Sequence, residues 1–201
     1  MKKNKKREKL SKNFWILLGI ITFILILILI VSHALFSKVE PEVIIDKEPG
    51  GEVTLFYTNS TNALTLNNAV PTTDSVGIKL QDVEKYFDFT VDINLDNAKS
   101  VDYEISVLKD DVLSTIPNNE IRIYLEKENN GTYTKVFGPD KYKPINKNTE
   151  LGTSKGSMVL YKNKKTVSGS ENYRLRMWLS DKSVLPNGGY SLEVNVTGTA
   201  K

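Results

Sequence analysis

Residues 14–31, FWILLGIITFILILILIV, contain no charge and no proline, and fifteen of the eighteen are Leu, Ile, Phe or Val. The apolar run extends through SHALF to Phe36, 23 residues in all. As a helix at ~1.5 Å per residue it spans roughly 34 Å, enough for a hydrocarbon core of about 30 Å. The fifteen apolar side chains favour insertion by roughly 5 to 9 kcal/mol. A helix also satisfies its own backbone polar groups, which lipid cannot do. A buried core helix would be shorter and less uniform. Residues 14–36 are therefore read as a transmembrane signal-anchor helix in contact with a lipid bilayer.

The flanks give the orientation. Residues 1–13 hold seven Lys or Arg and one Glu, whereas SKVEPEVIIDKE after the span is mixed to acidic. The positive-inside rule places this basic tail in the cytoplasm and the C-terminal domain outside the plasma membrane, single-pass. Ser32, His33 and Ala34 also resemble a small-x-small cleavage site. The run is longer than a typical signal-peptide core, which favours an uncleaved anchor over cleavage after Ala34. Either way, the C-terminal part is exported.

Net charge has to be read in pieces. The chain is +3 overall, but residues 37–201 carry 20 Lys or Arg against 23 Asp or Glu. The basic tail is a topology and anionic-lipid signal, not a nucleic-acid footprint. There is no cysteine, which excludes disulfides, thiolate metal sites and a cysteine nucleophile. Exported domains of this size in eukaryotes often carry disulfides, so their absence points to a bacterial surface protein. Asn59, Asn130 and Asn195 begin glycosylation-type triplets, read as chance matches in that setting.

Residues 37–52, SKVEPEVIIDKEPGGE, read as a stalk, because two Glu-Pro steps resist helix and Gly50-Gly51 loosens the chain. The extracellular domain, 53–201, then changes period. In YFDFTVDINLD, Phe87, Phe89, Val91, Ile93 and Leu95 alternate with Asp88, Thr90, Asp92 and Asn94. This is the pattern of a half-buried strand. VDYEISV and IRIYLE repeat it, DNAKS reads as a turn, and NNG at 129–131 is a hairpin signal before TYTKVF. VTLFYT, ALTLN, SMVLY, YRLRMWL and YSLEVNVT complete the strands, and VGIKLQDVEKYF (76–87) is the one helical candidate. About eight or nine alternating strands imply an all-β domain, one antiparallel β-sandwich behind an N-terminal transmembrane helix.

The side chains for catalysis are scarce. The single histidine, His33, lies at the end of the apolar span. That removes Ser-His-Asp triads, histidine bases and histidine metal clusters from an exported site. Asp92, Asn94 and Asp96 have calcium-loop spacing, but the sixth and twelfth loop positions are Asn97 and Tyr103 where Gly and Glu are needed. LPNGG has Gly188 where a wall-sorting signal has Thr, and no apolar tail follows. An isopeptide staple would need a buried Lys, an Asn and an acid together, and sequence does not give that geometry. No catalytic residue, cofactor or metal ligand is assigned, and the chain is read as a non-enzyme.

One row stands out. In ENYRLRMWLSD, Tyr173, Leu175, Met177 and Leu179 share one face and are expected in the core. Arg174, Arg176 and Trp178 share the other face. Two readings of that face stand open. One is cross-strand pairing with acids on a neighbour such as Glu193, an Arg stem over Trp178 or a loop across it. The other is a partner surface, since Arg and Trp are enriched in hot spots.

YFDFTVDI, VDYEISV, IRIYLEK, GSMVLYK and NYRLRMWLSD resemble, in this order, segments of single-pass exported proteins of low-GC Gram-positive bacteria. The resemblance covers about residues 53–200. In architecture the chain is also similar to the TasA and camelysin group, whose exported domains are jelly-roll-like β-sandwiches. Camelysin is classed as a peptidase, yet no zinc-binding histidines are available here. The resemblance implies a structural, adhesive or assembly role at a bacterial cell surface, with itself, another surface protein or a glycan as partner. The competing reading is an accessory subunit of an envelope machine for secretion, division or wall synthesis. A carbohydrate-active enzyme ranks behind both.

Overall fold

The computed structural model describes Thr22 and residues 52–57, 62–81, 86–184 and 188–201. The chain divides into Met1–Val39 and Glu40–Lys201. Within the first unit Thr22 is helical. The anticipated membrane helix, apart from Thr22, and the stalk up to Gly51 lie outside the described residues. No helix among the described residues is long and apolar enough to cross a membrane.

The second unit is mostly β, in two antiparallel sheets. Its strands are β1 (Glu52–Tyr57), β2 (Ala63–Asn67), β3 (Tyr86–Asn94), β4 (Val101–Lys109), β5 (Ile121–Asn129), β6 (Thr132–Asp140), β7 (Met158–Lys165), β8 (Gly169–Leu179) and β9 (Gly189–Ala200). All nine fall on the segments whose alternation marks them as strands. One sheet has the order β1-β3-β8-β5-β6, the other β2-β9-β4-β7. Every named pairing is antiparallel.

The pairings nest. β5 pairs β6, β4 pairs β7, β3 pairs β8 and β2 pairs β9. The eight strands thus form one long hairpin whose successive pairs alternate between the sheets. Pairing of β5 with β8 and β4 with β9 completes each sheet. The inner faces share one apolar cluster, with Phe89, Val91 and Leu175 from the first sheet and Ile105, Tyr190 and Val194 from the second. This is consistent with the expected sandwich.

The helical candidate over 76–87 is realised only at its start, gives way to a strand at its end, and lies outside the described residues at 82–85. Helix α1 covers Asp74–Gly77, a single turn, and Tyr86 already belongs to β3. Burial decides this: Phe87, Phe89, Val91 and Ile93 all enter the core, which only a period of two permits.

At the β5–β6 hairpin, Asn130 and Gly131 have φ of 51° and 79°, the backbone that a two-residue turn matching strand twist requires. A Cβ at Gly131 would meet nothing within 4 Å, so substitution there costs backbone strain alone. Gly131→Ala is expected to lower stability by about 1 kcal/mol in urea unfolding. No loss would place the hairpin elsewhere.

Candidate functional site

β8 lies between β3 and β5, paired on both edges. Its inner face is as anticipated, with Tyr173, Leu175, Met177 and Leu179 buried. Its outer row forms no open surface. Arg174 donates from Nε and Nη2 to Asp88 Oδ1 and Oδ2 at 2.6 and 2.7 Å. Its guanidinium lies 4.6 Å from the Tyr86 ring centroid and 4.3 Å from that of Tyr133. Arg176 pairs with Glu126 and donates from Nε to the Leu80 carbonyl at 2.9 Å.

Trp178 is 2 % exposed. Its Nε1 donates to Asp74 Oδ1 at 3.2 Å, and Tyr124 meets it edge-on at 6.3 Å. Gly77 of α1 lies so close that a Cβ there would sit 2.2 Å from the indole. The expected pairing with Glu193 is corrected. Glu193 is on β9, in the other sheet, where it accepts from Asn62 at 2.6 Å. The acids that serve the row are Asp88 and Glu126 on the flanking strands and Asp74 on α1. The covering piece over Trp178 is α1, not an Arg stem.

Asp92 and Asn94 are also placed. Asp92 accepts from Ser170 at 2.6 Å, and Asn94 Oδ1 accepts from the Asp96 backbone at 3.1 Å, closing a turn. No group of metal-ligating side chains occurs among the described residues.

Two polar clusters were not read from sequence. The first surrounds Glu171, on the inner face of β8. Lys127 and Lys165 donate to its Oε1 at 2.7 and 2.8 Å, and Tyr173 donates to Oε2 at 2.9 Å. Tyr103 also donates to Oε2, and Asn163 Nδ2 reaches Tyr103 Oη at 3.1 Å. Burial disfavours the Glu171 charge, but the two ammoniums and two phenols outweigh it and bring its pKa down to about 2. Burial pushes both phenols far up, so they stay protonated as donors. The lysines and Asn163 that an isopeptide staple would need do converge here, but their nitrogens face Glu171 and Tyr103. An ionised, fully engaged carboxylate suits a tie between sheets rather than proton transfer at neutral pH. One signal existed: Glu171 shares parity with Tyr173, and Lys127 with Leu125.

The second cluster lies under the β6–β7 connection, residues 141–157. Glu104 on β4 faces away from the core yet is fully buried. Thr149 donates to it, and Lys162 Nζ lies 2.9 Å from Oε2. The Thr153 backbone donates to Thr149 Oγ1 at 3.0 Å, and the Thr153 and Thr197 hydroxyls are 3.0 Å apart. Tyr142 donates to the Gly156 carbonyl at 2.6 Å. The connection is thus strapped onto the outer face of β4 and β9. Burial again opposes the charge, but Thr149, Thr153 and Lys162 together hold the Glu104 carboxyl below its usual range.

The site geometry and fold define a class, a β protein of two antiparallel sheets tied by the buried carboxylate of Glu171. No family model matches the chain, and no curated protein matches it significantly.

Two measurements follow from these contacts. Trp178→Ala is expected to cost about 3 to 5 kcal/mol, and Gly77→Ala about 1 to 3 through the indole clash. In the double variant the Gly77→Ala cost should disappear, because the clash is gone. Additive costs would refute the contact. For Glu171, a folded pKa of about 2 against 4.5 gives stability that is present above pH 4.5 and lost as pH falls toward 2. The effect is on the order of 3 kcal/mol. Glu171→Gln should flatten the wild-type decline across that window and lower stability at pH 7. An unchanged acid profile would remove Glu171 as its source.

Proposed function

We propose that the chain is a membrane-anchored extracellular protein of a bacterial surface, with a structural, adhesive or assembly role. The observation that carries this reading is the order of its parts: a cationic tail, a 23-residue apolar run and then a β domain. We further read the domain as a jelly roll, supported by the nested pairing of β2 through β9, in which one long hairpin is wound across two sheets.

The strand directions fit a tethered domain. Glu52 pairs with Asn94 and Val101 with Ala200. The entry from the stalk therefore shares one end of the strands with the C-terminus. The β2–β3, β4–β5, β6–β7 and β8–β9 connections start from the other end. For assembly, β1 is the relevant strand. Its one partner among the described residues is β3, and an edge strand can accept another chain.

Protease added to intact cells is expected to remove residues 52–201 while the tail stays protected. A protected β domain would overturn the orientation. Replacing residues 1–36 with an unrelated anchor should leave surface function intact. Loss would favour the accessory-subunit reading, in which the membrane helix is itself a contact.

A further inference from the structure

The charge of the β domain is not spread evenly. Residues 141–165 carry seven lysines and one acid, Glu150, whereas the rest of 52–201 carries 11 Lys or Arg against 18 Asp or Glu. Lys165 points inward to Glu171. The other six, Lys141, Lys143, Lys147, Lys155, Lys162 and Lys164, are exposed. Lys143 pairs with Asp140 and Lys162 with Glu104. Lys141, Lys147, Lys155 and Lys164 have no ion-pair partner among the described residues.

These cations have a fixed frame. Lys162 and Lys164 stand on the outward side of β7, two residues and so roughly 7 Å apart. Lys141, Lys143, Lys147 and Lys155 ride on the connection, which Glu104, Thr197 and the Lys109 backbone N–H, donating to Tyr142, fasten down. Backbone bonds tighten it, from Ile145 N to Ser157 O at 2.7 Å and from Thr149 N to Thr153 O at 2.9 Å. Holding like charges together costs free energy that an anionic partner offsets, and a pre-ordered frame lowers the entropy cost of binding one.

We propose that this strap and β7 form a binding surface for a hydrated linear polyanion, a polymer bearing phosphate-type charges. The surroundings of the lysines select that partner over a bilayer. Membrane docking pairs cations with apolar side chains that enter the interface. None of the exposed large hydrophobic residues falls within 141–165; Ile145 and Leu151 are only half-exposed, and the exposed residues among the lysines are mostly polar, such as Asn146, Asn148 and Ser154. Aromatic platforms for stacked bases are missing from the exposed residues of this segment, so single-stranded nucleic acid has no purchase beyond charge. The inference deepens the surface-binding reading by naming a ligand class, and it rests on that reading for the protein's location only.

The test uses the full chain in neutral phosphatidylcholine nanodiscs, titrated with fluorescent inorganic polyphosphate at several salt concentrations. The cytoplasmic tail is cationic too, so Lys2, Lys3, Lys5 and Lys6 are first changed to Gln. Binding is expected to persist in that background. Adding Lys141→Gln, Lys147→Gln, Lys155→Gln and Lys164→Gln should weaken it at least tenfold. The slope of log affinity against log salt should fall by about three, with the thermal melt unchanged. Loss of binding with the tail changes alone, or no effect of the four strap changes, overturns the proposal. So does tighter, lysine-dependent capture by phosphatidylglycerol vesicles, which would make the surface a bilayer contact. A chain that fails to enter nanodiscs refutes the anchor reading separately, and polyphosphate binding is then read on that chain in solution.

Discussion

Strand β8 is hydrogen-bonded on both edges, and from Leu175 to Ser180 its residues are buried on both faces. The core covers one. The other carries Arg174, Arg176 and Trp178, and the rest of the first sheet is arranged around them. Tyr86 and Tyr133 sandwich Arg174 from β3 and β6. The Leu80 carbonyl takes Arg176 Nε. The single turn of α1 packs its glycine on Trp178. Thr72 also donates from its backbone to the Leu179 carbonyl at 2.9 Å. The long β2–β3 connection is thus set by what the end of β8 presents. Of the two readings open for this row, contacts within the chain account for Arg174, Arg176 and Trp178.

The two buried carboxylates act at right angles to that logic. Glu171 is met from four strands: Tyr103 on β4, Lys127 on β5, Asn163 and Lys165 on β7, and Tyr173 on its own. A buried ionic cluster is weak evidence for net stability, because desolvation offsets much of the attraction. Its geometric demand is stricter. A one-residue slip of β4, β5 or β7 would turn its donor to the opposite face and leave Glu171 charged, buried and short of partners. The cluster therefore penalises the wrong registers of strands from both sheets at once.

The alternation of apolar residues made the strands legible, and in β3, β4, β5 and β8 the inner faces with them. Asn130-Gly131 was equally readable, because that pair suits a turn with positive φ at both residues. What stayed hidden depends on contacts between distant segments. Parity assigns Glu104 to the outer face of β4, and it does lie there, but nothing in VDYEISV reveals that residues 141–157 will bury it. Parity likewise puts Trp178 outside without naming Gly77 as its lid. The helical candidate at 76–87 is shortened for a related cause. Its spacing meets the alternation that begins at Phe87, and at Tyr86 and Phe87 the core settles the contest for the strand. Neighbour identity failed for the same reason. Glu193 has suitable charge and parity, but winding of the long hairpin puts it in the other sheet.

The four residues Lys162 to Lys165 show how the fold turns a uniform sequence into different chemistry. KNKK reads as one polar, cationic stretch. The pleat sends Asn163 and Lys165 inward, where Glu171 engages both. It sends Lys162 and Lys164 outward. Lys162 then meets Glu104, an acid that the strap has already buried. Lys164 stands opposite Asp102 on β4, but that acid pairs with Lys201. Glu171 and Glu104 are engaged in holding the sheets and the strap, so the outward side of the same elements carries more cations than acids. The positive surface is thus a consequence of where the negative charges are needed for folding.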